Sequence, residues 1–448
     1  MKKLICCLLL FAALCGLSAH AAKADADTPL WPAYDPVTGL WGYITEDGAW
    51  GIEPQWERAY HFHGGCAIVD TMDVPSWEGE CTQGIIDVTG AYLLEPAYHI
   101  DDACCLDGAG ELYLVNQYND ERGSGWFNIP NRYFSGLRWT ECYATQDAPY
   151  IQINHDYTVS GLADRATGEV VLPVEYSYTG LYDQGIENGF VVAERDDTRA
   201  CELIEIGWGA VELPEGVVID YSPGVSEGLI AFEHDGLYGY LNTEGEIVIP
   251  AQYDSAEGFM DGYAEVGLLE EVGTHAIIDR SGNIVLTGIG GQWQPGYYGV
   301  VDGALFVVWP DGAWGLIELD GTVRCRVEAP EGCYNPWLYQ FAEDGPLWVT
   351  YEMEDEPWCW GIVDSDGQWL TEPGLNVSFD MGEPWLAVSK DGRWGYVDAY
   401  GNTILPFIYE EAGHFEGALA RVKFDASTEA YINRSGEVVY QWPMPEEW

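Results

Sequence analysis

The residues best able to do chemistry in this chain are few and scattered. Gly224-Val225-Ser226-Glu227-Gly228 has the G-x-S-x-G spacing of a serine-hydrolase elbow, in which a strand-to-helix turn presents the serine to a histidine and an acid. The chain continues as Gly228-Leu229-Ile230-Ala231, a strand-like run, so the helix that an elbow requires is not predicted. His61-Phe62-His63 sets two imidazoles on one strand face, short of the three or four ligands that a metal centre needs. Phe62 is expected in the core, leaving His61, His63 and likewise His414 towards solvent. Asp364-Ser365-Asp366-Gly367 resembles the start of a calcium loop but lacks the distal Glu, and reads as a hairpin turn. The run Glu352-Met353-Glu354-Asp355-Glu356 could gather divalent cations weakly by charge alone. Among 74 Asp and Glu, carboxylate pairs with glycosidase spacing arise by chance. No catalytic residue, metal site or cofactor is assigned.

Flat aromatic rings are the other resource, because they stack on sugars and anchor protein partners. The chain holds 20 Trp and 29 Tyr, most of them at recurring positions. Trp293, Trp337, Trp348 and Trp385 fall outside the recurrence and are the candidate ligand-binding residues. Charge narrows the partners. With 18 Lys and Arg against 74 acids, the formal charge of −56 excludes a grip on a nucleic-acid backbone and disfavours anionic membranes.

The elements that must position these residues come from one pattern returning along the chain. It is fullest at Gly236 to Asp254 (GLYGYLNTEGEIVIPAQYD), with close copies from Gly39 and Gly392. A strand such as Trp394-Gly395-Tyr396-Val397 puts its large aromatics on one face. Its glycine, like Gly42, Gly239, Gly315 and Gly361, permits close approach of a neighbour. A turn comes next, opened by Asp or Asn and closed by Gly three residues later, as at Asn242 to Gly245 and Asp398 to Gly401. This is hairpin chemistry: the Asx side chain bonds the backbone ahead, and Gly takes positive φ. A second strand then stops at a proline (Pro54, Pro96, Pro173, Pro250, Pro406), with an aromatic two or three residues on and an Ala-x-x-Phe.

The residues opening these turns are Thr45, Asp87, Asn128, Asp164, Glu205, Asn242, Asp279, Glu318, Asp364, Asp398 and Asn433. They define eleven units of about 39 residues, a period that signals a repeat architecture. Leu40-Trp41-Gly42-Tyr43-Ile44, Ala313-Trp314-Gly315-Leu316-Ile317 and Arg393-Trp394-Gly395-Tyr396-Val397 resemble the bacterial WG-repeat (KWG-repeat) family; Trp360-Gly361 carries the same pair. The resemblance spans roughly residues 39–440, with units near Asn128 and Glu205 departing from it. It implies an all-β array, often extracytoplasmic, with no catalytic residues to transfer. Eleven units exceed the roughly 4 to 8 blades of one propeller. The expectation is an open curved or superhelical array of hairpin or three-strand repeats, with one or two propeller-like rings as the alternative.

Met1-Lys2-Lys3, an apolar stretch to Leu17, and Ser18-Ala19-His20-Ala21 read as a signal peptide over 1–21, followed by a linker over 22–38 and a tail over 441–448. No later apolar run reaches the roughly 18 residues of a membrane span. Nine of the twelve cysteines lie beyond the signal, an odd number without C-x-x-C spacing, and are expected to be mostly buried, although Cys66 with Cys81 or Cys325 with Cys333 could bridge. Together these features predict a secreted, non-enzymatic, acidic scaffold that binds a protein or polysaccharide partner, a cationic one included. A carbohydrate-binding array and a glycoside hydrolase are the alternatives.

Overall fold

The computed structural model describes residues 29–71, 83–101, 112–117, 123–143, 149–155, 158–179, 186–219, 224–269, 275–289, 294–301, 304–309, 311–328, 330–339, 346–353, 359–371, 375–378 and 385–443. Residues 1–21, read as a signal peptide, and Trp293, Cys81 and most of the 352–356 acidic run lie outside them. The described residues contain strands and turns and no helix. Their nine antiparallel sheets are open, and the seven- and eight-stranded ones each run through two units. Every one of the eleven turn-opening residues stands at the end of a strand, or immediately after one, in its own unit. The array begins earlier than expected: Trp31–Asp35, assigned to a linker, is the first strand of the first unit, and the last strand runs to Pro443.

In the units that carry both, the glycine and the proline turn out to be two halves of one device. Trp41 pairs with Trp56 but Tyr43 pairs with Ile52, so the proline-bearing strand carries two extra residues there. Tyr238–Tyr253 with Tyr240–Ile249, and Trp394–Tyr409 with Tyr396–Leu405, repeat the same shift. The bulge folds over the glycine: a Cβ on Gly239 would lie 2.5 Å from the Ile249 carbonyl oxygen and 2.7 Å from the Ala251 nitrogen, and one on Gly42 would lie 2.6 Å from the Ile52 oxygen. Proline therefore does not stop the strand, as the sequence suggested. It occupies the bulge, where its missing N–H costs no ladder bond and where the outer edge is blunted against pairing with another chain. Gly315 and Gly361 are equally crowded, against the Cys325 carbonyl oxygen and the Trp369 ring.

Strand alternation is spent on two neighbours at once. Tyr240 faces a core shared with the following unit, and adjacent Leu241 faces one shared with the preceding unit. Cores of this kind join each unit to the next along the whole array. A recurring clasp strengthens them. Tyr43, Tyr240 and Tyr396 each donate the phenol hydrogen to the carbonyl of a residue seventeen positions on, Tyr60, Glu257 and Gly413, at 2.9, 2.7 and 2.9 Å. Each ring also packs on the Phe of the next unit's Ala-x-x-Phe, Phe62, Phe259 or Phe415, with centroids 4.7, 4.8 and 4.9 Å apart.

The array curves far enough that its ends meet. One core holds Trp31, Trp41 and Tyr43 of the first unit together with Leu419, Tyr431 and Trp442 of the last. Tyr431, the last unit's counterpart of Tyr43, donates to the Pro32 carbonyl at 3.0 Å, and Tyr440 donates to the Tyr34 carbonyl at 3.2 Å. Other units pair a short extra strand, such as Arg58–Ala59, against the strand equivalent to Trp31–Asp35. The first unit's described sheet has three strands, and two tyrosine hydroxyls from the last unit satisfy its edge carbonyls.

Candidate binding surface

Each Asx turn is built as its residues demand. Asn242 Oδ1 accepts from the backbone N–H of Glu244 and Glu246, and Asp398 Oδ1 from those of Tyr400 and Asn402. The closing glycine takes φ near +80°, as in Gly245 and Gly401. Many of these turns rest on the last strand of the preceding unit: Gly90 on Ile52, Gly282 on Ile249, Gly436 on Leu405, and Gly48 of the first unit on Val439 of the last. The turns of these units consequently line up along a rim. Just after them, at the start of the last strand, an apolar residue is left in water in unit after unit: Val170, Ile247, Ile284, Val323 and Val438 are each 44–50% exposed. A register shift separates Ile247, opposite Leu241, from Ile249, opposite Tyr240, and the next unit's turn covers Ile249 while Ile247 stays in water. Exposed carboxylates, Glu169, Glu246 and Glu437, immediately precede Val170, Ile247 and Val438.

The candidate ligand tryptophans are placed differently from one another. Trp348 is wholly buried and donates its indole N–H to the Ala399 carbonyl at 2.8 Å, so it is a core residue and cannot stack on a ligand. Its strand alternation had no repeat partner to reveal that. Trp385 is half-buried, edge-on to Phe415 with the Arg434 guanidinium 5.2 Å over its ring. Trp337 lies in the strand Tyr334–Tyr339, paired with Thr350. The repeat residues Trp41, Trp314 and Trp360 are buried and Trp394 half-buried. Among the described residues the exposed indole is Trp208, outside the candidate set: it is 85% exposed, at a tight turn between Gly207 and Gly209 in one of the two irregular units.

Ser226 is a structural acceptor. It ends a two-residue strand paired with the next strand in the chain, and its Oγ accepts from Phe259 N–H of the next unit at 2.8 Å. His61 is not in solvent as expected. It is half-buried against Glu416, with His414 Nε2 3.5 Å from the other carboxylate oxygen, where the second unit meets the last. Burial works to raise the Glu416 carboxyl, but hydrogen bonds from His414 and His61 and their charge outweigh it and hold the group at about 2. In the seventh unit the balance is reversed: burial pushes Glu265 upward against the pull of His275, 2.6 Å away. Among the described residues no group of three or more His, Cys, Asp or Glu is arranged to hold a metal ion. Cys325 and Cys333 are free thiols sharing one core with Cys359; Cys66 and Cys142 are also free and buried.

Buried polar residues are unevenly spread. Among the described residues all but Thr350 and Ser389 lie between Asp70 and Thr179. There Gln83 donates to Asp70 at 3.0 Å while accepting from Ile100 N–H, and Thr179 donates to Gln152 at 2.7 Å. Burial raises the Asp70 carboxyl despite its bond from Gln83.

Among solved structures the chain is similar to a computationally designed protein, Ika8, at 13% identity over 76% of this chain and 95% of that one, TM-score 0.29. It is similar to a eukaryotic initiation factor at 10% identity over 94% and 96%, TM-score 0.41, and to BamB from Moraxella catarrhalis at 12% over 85% and 93%, TM-score 0.28. Likeness at this level brings neither partner nor activity to this chain. No curated protein matches it. Residues 41–70, 238–268, 360–394 and 394–426 match the family described as WG containing repeat. Three of these matched segments carry the tyrosine clasp, at Tyr43, Tyr240 and Tyr396, and the matches show WG repeats within an all-β tandem array.

Proposed function

We propose that this scaffold is secreted and works without catalysis, by binding a partner outside the cytoplasm. The observation that carries the reading is the rim, where half-exposed aliphatic residues recur at one repeat position beside exposed carboxylates. Isolated surface aliphatics are ordinary, whereas a row of them with bordering charge is the make-up of an interaction surface. The −56 charge adds long-range attraction for cationic partners and keeps copies of the chain apart. Two measurements test this. Expressed with its own N-terminus, the protein should be exported and start after Ala21; retention in the cytoplasm with residues 1–21 intact would overturn the location. Binding to cationic proteins should weaken steeply as salt rises, and indifference to salt would overturn the electrostatic part.

Trp208 favours a second reading, a carbohydrate-binding array. An indole 85% exposed on a glycine-flanked turn is the flat platform that a sugar ring stacks on. A glycan array with wild type and Trp208→Ala decides: saturable sugar binding lost in the variant supports it, and absence of sugar binding by wild type ends it.

A further inference from the structure

The rim has a geometry that narrows the partner further. The strands beginning at Ile247, Ile284, Val323 and Val438 each end their sheet, so each exposed aliphatic sits at an outer edge. Pairing of a partner's backbone with that edge is opposed by the register shift at the start of each of these strands, and at Ile247–Tyr253 by Pro250 as well. The exposed side chains are therefore the features a partner can read there. Along the sixth, seventh and eighth units the aliphatics come in order, Ile247 with Val248, then Ile284, then Val323. Acids accompany them: Glu246 beside Ile247, and Asp320 in the turn before Val323. The nearby cations are already engaged, Arg280 with Glu227 at 3.0 Å and Arg324 with Glu318 at 2.7 Å, leaving the local field negative.

We propose that this stretch of rim is a docking surface for an extended cationic polypeptide segment carrying apolar side chains between its lysines or arginines. The inference rests on the acidic-scaffold reading and adds the site and the partner's chemistry. Apolar side chains of the segment cover Ile247, Ile284 and Val323 while its charges answer the flanking carboxylates. A second copy of the chain is a poor occupant, because it brings the same negative charge.

Fluorescence anisotropy with two synthetic peptides of equal length and charge tests it, one alternating lysine with leucine and the other lysine with serine. Wild type should bind the leucine peptide about tenfold more tightly or better, a conservative figure for covering three half-exposed aliphatics. The variant Ile247→Ser/Ile284→Ser/Val323→Ser should bind both peptides alike, at the affinity of wild type for the serine peptide. If the triple variant does not fold, judged by circular dichroism, the single variants Ile247→Ser and Val323→Ser should each lose part of the preference. Equal binding of the two peptides by wild type, or a preference that survives substitution, overturns the rim site and leaves the charge reading standing. Failure of both peptides to bind overturns both.

Discussion

Tyr431→Phe probes the meeting of the first and last units with the loss of one oxygen atom. The phenol is 1% exposed and donates to the Pro32 carbonyl at 3.0 Å, a bond buried at both ends. Burial pushes its ionisation far upward despite the Arg421 charge nearby, so it is a neutral donor at every working pH. Phenylalanine keeps the ring's packing against Trp442, centroids 5.6 Å apart, and removes only the donor. The Pro32 carbonyl is then left without that bond, at a cost of roughly 1–3 kcal/mol for an unsatisfied buried group. In a repeat array each interface contributes separately, so the loss should appear locally. Hydrogen exchange read by mass spectrometry should accelerate in Trp31–Asp35 and Thr428–Asn433 by about 5- to 150-fold, with the 255–267 segment unchanged. Tyr240→Phe, which removes the equivalent bond to Glu257, should do the reverse: fast exchange around Ser255–Ala256 and Tyr263–Gly267, none added at 31–35. If Tyr431→Phe leaves 31–35 protected while Tyr240→Phe exposes its own neighbour, the last unit does not fasten the first.

Three more outcomes rest on the same geometry. Gly239→Ala should destabilise by about 1–3 kcal/mol in urea unfolding, because its Cβ would meet only backbone atoms within 2.8 Å, whereas Gly413→Ala, whose nearest atom is 3.5 Å away, should be close to neutral. Glu416 has a folded value of about 2 against an ordinary 4.5, so its contribution is complete above pH 4.5 and is lost as pH falls through about 2; thermal midpoints of wild type and Glu416→Gln should converge over that window. Ser226→Ala should lower thermal stability by removing the acceptor for Phe259 N–H, and a fluorophosphonate probe should leave Ser226 unlabelled in wild type.

The repeat was legible because its determinants are local. An Asx residue opening a turn and a glycine at positive φ closing it are requirements of four consecutive residues, so most of the turn markers could be placed by inspection. The two irregular units were harder for the same reason. After Asn128 the left-handed position falls to Arg132, at φ 57°, and after Glu205 it falls to Gly207, at φ 86°. The proline was misjudged because its role depends on the partner strand: a bulge is a difference in register, and a single strand has none. His61 was misjudged for a longer-range version of that reason, since its partner Glu416 lies at the other end of the chain. Trp348 resembled a free aromatic only because it does not recur, and absence of recurrence carries no information about burial. The exposed aliphatics of the rim were hidden because a register shift separates each of them from the covered residue two positions on, and strand alternation read from one strand cannot show that shift.

The central claim is that every unit is held by its neighbours, the first by the last included. Its most direct test is energy transfer between dyes on azide side chains introduced at Val37, 90% exposed in the first unit's hairpin, and at exposed Ser427 in the last unit's equivalent hairpin. Asp391 with Ser427 gives the reference for two adjacent units. A single distance for 37–427 that matches 391–427 is the predicted result; a long, broadly distributed distance would show ends that never meet.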